Sequence, residues 1–172
     1  MDVHGVSVKA AVSAWRWFPG FLLRRKYSRE RLAQDIYVEV RSRNDPLRID
    51  LGESSVVTLW LEVRNQSIVD VELDRANCLL RIGNQIIGMI YLKRQQLAAG
   101  AAILIDLHRS LHAEQANQVA RYITLNDVSL EGFMEFNCKL HPFTKNIGHL
   151  SGIRPTVINA RHRSPAQLRG MA

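Results

Sequence analysis

Two histidines four residues apart are the first groups whose spacing could do chemistry. His108 and His112, with Asp106 just before them, would share a face if one helix carried all three, and imidazoles at that spacing bind zinc. Ser110 stands between them and reads as the boundary between a strand end and a helix start, so the two rings need not converge. His141 and His149 fall in loop-like stretches with no cysteine pair at ligand spacing. The expectation is no metal and no cofactor. Cys78 and Cys138 are the only cysteines, and both take the inward phase of alternating segments. Their separation would suit an inter-sheet disulfide of the antibody kind, but the tryptophan expected shortly after the first cysteine is missing. Two buried thiols are the favoured reading. Asp45, Asp127 and His141 are loop groups that could form an acid/base pair, yet nothing in their spacing brings them together. Gly-x-Ser-x-Gly, a Gly-rich phosphate loop and His-Glu-x-x-His are all absent. The sequence is therefore expected not to encode an enzyme.

A second constellation is physical rather than catalytic. Trp15, Trp17, Phe18, Phe21 and Leu22 form an aromatic-apolar cluster that runs into the triplet Arg24-Arg25-Lys26. Aromatic rings favour the headgroup region of a bilayer and cations are drawn to anionic lipid, so these residues are candidates for membrane-surface or partner binding. Pro19-Gly20 breaks any helix there, leaving a short helix expected over about residues 6–17. Arg16 interrupts the apolar stretch and no small-residue cleavage site precedes the triplet, which fits a cleaved signal peptide poorly. Two other readings stay open: the aromatics could pack on the folded body or a neighbouring subunit, or the segment could be a nucleic-acid arm. If it meets a bilayer, the basic cluster places the body on the cytoplasmic face.

The charge distribution agrees with a sticky end on a neutral body. The chain has 172 residues and net charge +7, but residues 1–33 carry +5 and residues 154–172 carry +4, leaving the middle at −2. A nucleic-acid-binding domain concentrates basic charge on its folded face, so nucleic acid is the less favoured partner, although it is not excluded. An anionic membrane surface or an acidic protein partner suits basic ends around a neutral body, as does a homo-oligomer. The hydrophobic fraction of 47% excludes a wholly disordered chain, and no apolar run approaches the length of a membrane-spanning helix.

The elements that must position these residues have a period of two. Ile36, Val38 and Val40 alternate with polar neighbours, as do Val57, Leu59, Leu61 and Val63, and later Met134, Phe136 and Cys138. Cys78–Ile82, Ile86–Leu92, Ala102–His108 and Pro155–Ala160 complete about seven candidate strands, with Gly83-Asn84 as a two-residue hairpin turn. Ala116, Val119, Ala120 and Ile123 recur at helical spacing and predict one short helix over about 111–122. The fold class expected is all-β, an immunoglobulin- or fibronectin-like sandwich of two sheets. It would span residues 34–160, between an N-terminal anchor or assembly arm (1–33) and a basic flexible tail (161–172). Tyr37 and Trp60 fall on the outward phase near Arg41 and Arg64. These four form either a contact face for a partner or a surface covered by a helix or by the N-terminal segment.

The runs Leu61-Glu62-Val63-Arg64-Asn65-Gln66-Ser67, Leu79-Leu80-Arg81-Ile82-Gly83-Asn84-Gln85-Ile86-Ile87-Gly88 and Leu97-Ala98-Ala99-Gly100-Ala101 resemble a group 2 late-embryogenesis-abundant domain, also called the water-stress and hypersensitive-response domain. Leu130-Glu131-Gly132 is similar to that family's final third, and Gln66 stands where the family has proline. The resemblance covers about residues 36–140. It implies an immunoglobulin-like sandwich that is not catalytic and often lies next to a membrane segment.

Overall fold

The period-two segments become strands that pair antiparallel wherever two apolar faces can be buried together. The computed structural model describes residues 24–122 and 128–160. In chain order the elements are α1 (Arg29–Gln34), β1 (Ile36–Val40), β2 (Leu47–Asp50), β3 (Val56–Asn65), β4 (Val71–Ile82), β5 (Gln85–Tyr91), β6 (Gln95–Leu97), β7 (Ala102–Ser110), α2 (Ala113–Tyr122), β8 (Val128–Cys138), β9 (Phe143–Asn146), β10 (Leu150–Ser151) and β11 (Pro155–Ile158). They form the two-sheet sandwich expected, with more strands than the alternation revealed. Leu47–Asp50, Gln95–Leu97, Phe143–Asn146 and Leu150–Ser151 are too short to show a period of their own.

Sheet A is built around β3. One edge of β3 pairs with β7, from Val56↔Ser110 to Arg64↔Ala102. The other edge is shared in succession by β1 and β2: Ile36 lies opposite Asn65 and Val40 opposite Leu61, then Leu47 opposite Leu59 and Asp50 opposite Val56. Between them the chain loops away from the sheet. Both ends of that excursion return to one residue, since the Arg41 amide donates to the Trp60 carbonyl and the Trp60 amide donates to the Pro46 carbonyl. β11 then covers β2 in parallel, with Pro155 opposite Leu47 and Ile158 opposite Asp50.

Sheet B is built around β4 and β8, antiparallel from Val71↔Cys138 to Ile82↔Val128, with a register shift between Leu73 and Arg75. β5 and β6 share the far edge of β4, and β9 and β10 that of β8. The β4–β5 turn is the two-residue Gly83-Asn84 hairpin expected; Gly83 has φ +54°. A side chain at Gly83 would also strike Tyr122, so this glycine lets the end of α2 close over the hairpin.

Inward residues of both sheets make one core, including Leu59, Leu61, Val63, Leu73, Leu80, Ile105, Met134 and Phe136. Tyr27 and Leu32, ahead of the first strand, belong to it as well, and the Phe136 and Phe143 rings stack at 5.3 Å. α2 contributes Ala116 and Val119, in agreement with its apolar spacing.

One buried polar side chain ties the loops at one end of the sandwich. Asn65 is fully buried. Its amide nitrogen lies 2.8 Å from the Val69 carbonyl, 3.2 Å from that of Leu97 and 3.3 Å from that of Ala98. Its Oδ1 accepts from the Ser67 amide at 3.0 Å and from the Ser67 hydroxyl at 2.7 Å. Its main chain accepts from Gly100 and donates to Ala101. A short amide side chain with two donors and two lone pairs thereby links the end of β3 to two separate loops.

Candidate functional site

The register of sheet A decides which side chains meet on its outer face. Tyr37 lies opposite Arg64, and Arg64 opposite Ala102. Glu39 lies opposite Glu62, and Glu62 opposite Leu104. In the third row the Arg41–Trp60 hydrogen bond sets Arg41 beside Trp60, which faces Asp106 on β7. Side chains alternate across a pleated sheet, so Tyr37, Glu39, Arg41, Trp60, Glu62, Arg64 and Leu104 occupy one surface. All four residues anticipated as a contact face are thus brought together.

The surface is amphipathic and charged. Tyr37 is 51% and Leu104 46% exposed, whereas Trp60 is half-buried between its neighbours. Arg64 Nη2 donates to Glu62 Oε1 at 2.7 Å, and this bond raises the Arg64 pKa, with the Glu62 and Glu39 charges adding to it. Glu39 faces Glu62 directly, and among the described residues neither Glu39 nor Arg41 is in an ion pair. A shallow hollow of about 580 Å³ runs over this region, lined by Glu39, Arg41, Arg43, Glu62, Arg64 and Leu104 among others. Neither described helix has its main packing here: α1 rests on β9 and β1, and α2 on β5.

Other anticipated groups are dispersed. On β7 His108 is exposed and Asp106 half-buried, with Nδ1 3.3 Å from Oδ2, while His112 lies past the strand end. Among the described residues no three His, Cys, Asp or Glu side chains converge as a metal-binding group. Asp45 accepts from Thr156 Oγ1 at 2.7 Å, whereas His141 Nε2 lies 3.4 Å from the Arg24 carbonyl, in a different part of the fold; Asp127 lies outside the described residues. Cys78 and Cys138 belong to one sheet, and the register leaves them seven residues apart, about 24 Å along neighbouring strands. That distance removes the inter-sheet disulfide, and both thiols are free. Burial alone pushes the Cys78 thiol up to about 12. Cys138 is only half-buried; its thiol sits 3.1 Å from the His141 carbonyl and 3.4 Å from the His141 amide.

Of the aromatic-basic cluster, Arg24, Arg25 and Lys26 are exposed. Trp15, Trp17, Phe18, Phe21 and Leu22, and the helix expected over 6–17, lie outside the described residues, as does the tail from 161 onward. No described helix is long and apolar enough to cross a membrane.

One surface escaped the sequence reading. Leu79 (49% exposed), Ile86 (52%) and Ile90 (58%) stand on the outer face of sheet B, around Gly88, which lies opposite Leu79. The signal was present in Ile86-Ile87-Gly88-Met89-Ile90-Tyr91-Leu92, which is apolar on both phases, the pattern of a strand with two apolar faces.

No protein-family model matches the chain, and neither does any curated protein. Several solved structures align with much of the chain. A structural-genomics target solved by X-ray crystallography aligns over 70% of this chain and 87% of its own, at 10% identity and TM-score 0.46. A Bordetella pertussis protein considered to be ApaA aligns over 68% and 91%, at 13% identity and TM-score 0.47. The solution structure of a chain considered a late-embryogenesis-abundant protein aligns over 87% and 94%, at 12% identity and TM-score 0.40.

Proposed function

We propose that this protein is a non-enzymatic interaction module of the water-stress and hypersensitive-response kind, attached to a membrane surface at the cytoplasmic face through its N-terminal segment. Trp15, Trp17, Phe18, Phe21 and Leu22 insert, and Arg24, Arg25 and Lys26 contact anionic headgroups. The outer face of sheet A is then the side that meets a protein partner. The observation that carries this reading is the clustering of Tyr37, Arg41, Trp60 and Arg64 on one sheet surface, since Tyr, Trp and Arg are the residue types that dominate binding hot spots. The sequence motifs of the resemblance support a role without catalysis.

Sedimentation of the full chain with anionic and neutral liposomes tests the attachment. Binding is expected to need anionic lipid, to resist high salt in part, and to be lost when Trp15, Trp17, Phe18 and Phe21 are all replaced by Ser. Attachment that survives this replacement would overturn the insertion. A second reading, a subunit of a larger homo-oligomeric or nucleoprotein assembly using its basic ends as arms, is favoured by the +5 and +4 charges of those ends. Defined self-association without lipid, lost on the same replacement, would select it.

A further inference from the structure

We propose that the open edge of β1 is a docking site for an extended peptide segment of a protein partner, which adds to sheet A as a further strand. This deepens the interaction role proposed above and is independent of membrane attachment.

The phase of the backbone leaves this edge of β1 unpaired among the described residues. The Gln66 amide donates to the Asp35 carbonyl and the Arg41 amide to the Trp60 carbonyl. With the antiparallel register between, the odd-numbered residues of this stretch exchange their bonds with β3. Ile36, Val38 and Val40 therefore aim their main-chain N–H and C=O groups at the other side, where no described strand pairs with β1. β2, on the same edge of β3, is covered by β11. The chain leading into β11 does not continue along β1, because residues 150 and 151 pair with β8 in sheet B. This change of sheet opens a groove of about 570 Å³, with Val38, Val40 and Arg41 on one wall and Leu150, Ile153 and Arg154 on the other. Its volume lies within the range of ligand sites, about 300–1,000 Å³.

Strand addition to such an edge takes affinity from main-chain bonds and specificity from alternate side chains. Residues of the incoming strand beside Val38 and Val40 turn toward the buried Val38 and Ile153 and must be apolar. Residues beside Tyr37, Glu39 and Arg41 join the outer face. Glu39 faces a like charge at Glu62, and neither it nor Arg41 has an ion-pair partner among the described residues. A basic residue beside Glu39 and an acidic one beside Arg41 complement them, and an aromatic or aliphatic residue suits Tyr37. In antiparallel orientation the peptide reads acidic, apolar, basic, apolar, aromatic.

The test titrates a fluorescent ten-residue peptide with that pattern at its centre into the full chain without lipid, beside a peptide with its acidic and basic positions exchanged. Saturable binding of the first is expected, at least tenfold tighter than the second. Val40→Pro removes an amide that β3 does not use, so the variant should stay folded by circular dichroism and bind at least tenfold more weakly. E39K/R41E should bind the exchanged peptide better than the original. Equal binding by V40P, or no reversal by E39K/R41E, would overturn the proposal. So would a wild-type chain that dimerises through this edge and becomes monomeric as V40P, since the occupant would then be a second copy. Liposome sedimentation of the same proteins reads the attachment separately, so loss of one activity leaves the other measurable.

Discussion

Replacing Asn65 by Ala should remove more stability than any other single polar change in the described fold. The side chain is fully buried and donates to three carbonyls, of which that of Val69 is nearest at 2.8 Å, while its oxygen receives both donors of Ser67. A net hydrogen bond is worth about 1 kcal/mol, and a buried polar group left without a partner costs about 1–3 kcal/mol. The side-chain amide has only two hydrogens, so the longer Leu97 and Ala98 contacts share the one not given to Val69 and count together as about one bond. Ser67 Oγ keeps its contact with the Val69 carbonyl at 3.0 Å, which offsets part of the loss there. The expected cost of N65A is about 3–4 kcal/mol, a large fraction of the roughly 5–15 kcal/mol available to a domain. At about 2–4 °C per kcal/mol the melting temperature should fall by about 10 °C. N65D separates hydrogen bonding from shape. It keeps an acceptor for Ser67 but turns a carboxylate oxygen toward the carbonyls that received the amide. That raises the pKa of the introduced carboxyl in the folded state above its unfolded value. The folded protein then binds the proton more tightly, so the N65D deficit is largest above the folded pKa and shrinks as pH falls through it. Urea denaturation of all three proteins at pH 7 and near pH 4.5 measures both effects. A cost below 1 kcal/mol for N65A, or an N65D deficit that grows on acidification, would refute the reasoning.

Gly132 lies opposite Cys78, and a Cβ there would stand 2.3 Å from the Asn77 carbonyl oxygen and 2.8 Å from the Cys78 Cα, both main-chain atoms. Gly132→Ala should therefore cost about 3 kcal/mol or more in urea denaturation. Gly88→Ala, where nothing lies within 4 Å, should instead stabilise by about 0.5 kcal/mol through lost unfolded-state freedom. Equal effects of the two would contradict the register. Of the two free thiols, Cys138 should react with a disulfide reagent at pH 8 in the native protein, and Cys78, pushed up to about 12 by burial, only as fast as the chain unfolds. Two equally fast thiols would show the β4–β8 core to be open. Burial lowers the Lys145 pKa, so over the alkaline range where it titrates the unfolded chain binds more protons and stability gains from rising pH. Lys145→Met should remove that contribution and raise the urea midpoint at pH 7; a lowered midpoint would mean that the charge is compensated.

The sandwich was legible because its long strands must each bury one face. Val57, Leu59, Leu61 and Val63 can be hidden together only on a pleated strand, and the same period carries Met134 and Phe136. Phase also placed Tyr37 and Trp60 outside, and with them Arg41 and Arg64. Pairing partners were not legible. β2 was not expected as a strand, because its four residues show no period of their own, and its sharing of one edge of β3 with β1 depends on main-chain bonds that both return to Trp60. The four-residue β9 and two-residue β10 exist because β8 offers them an edge, and nothing in Phe143-Thr144-Lys145-Asn146 demands a strand alone. The role of Asn65 was hidden for a similar reason: three of its partners lie across a loop more than 30 residues away or beyond its own turn.

The break between β1 and β2 has a structural consequence for binding. A continuous strand from residue 36 to 50 would present a single outer edge, and β11 covers only its second half. Because residues 42–45 loop out opposite Trp60, β1 stays short, and its edge opens beside the point where the chain crosses from β10 to β11. Short edges with charges at their rim resist indiscriminate pairing, whereas a matched segment can still add. Glu39 and Arg41 stand at that rim and also on the outer face with Tyr37 and Trp60. A partner strand seated on β1 would therefore extend the aromatic-cationic surface rather than compete with it, and edge and face would act as one site.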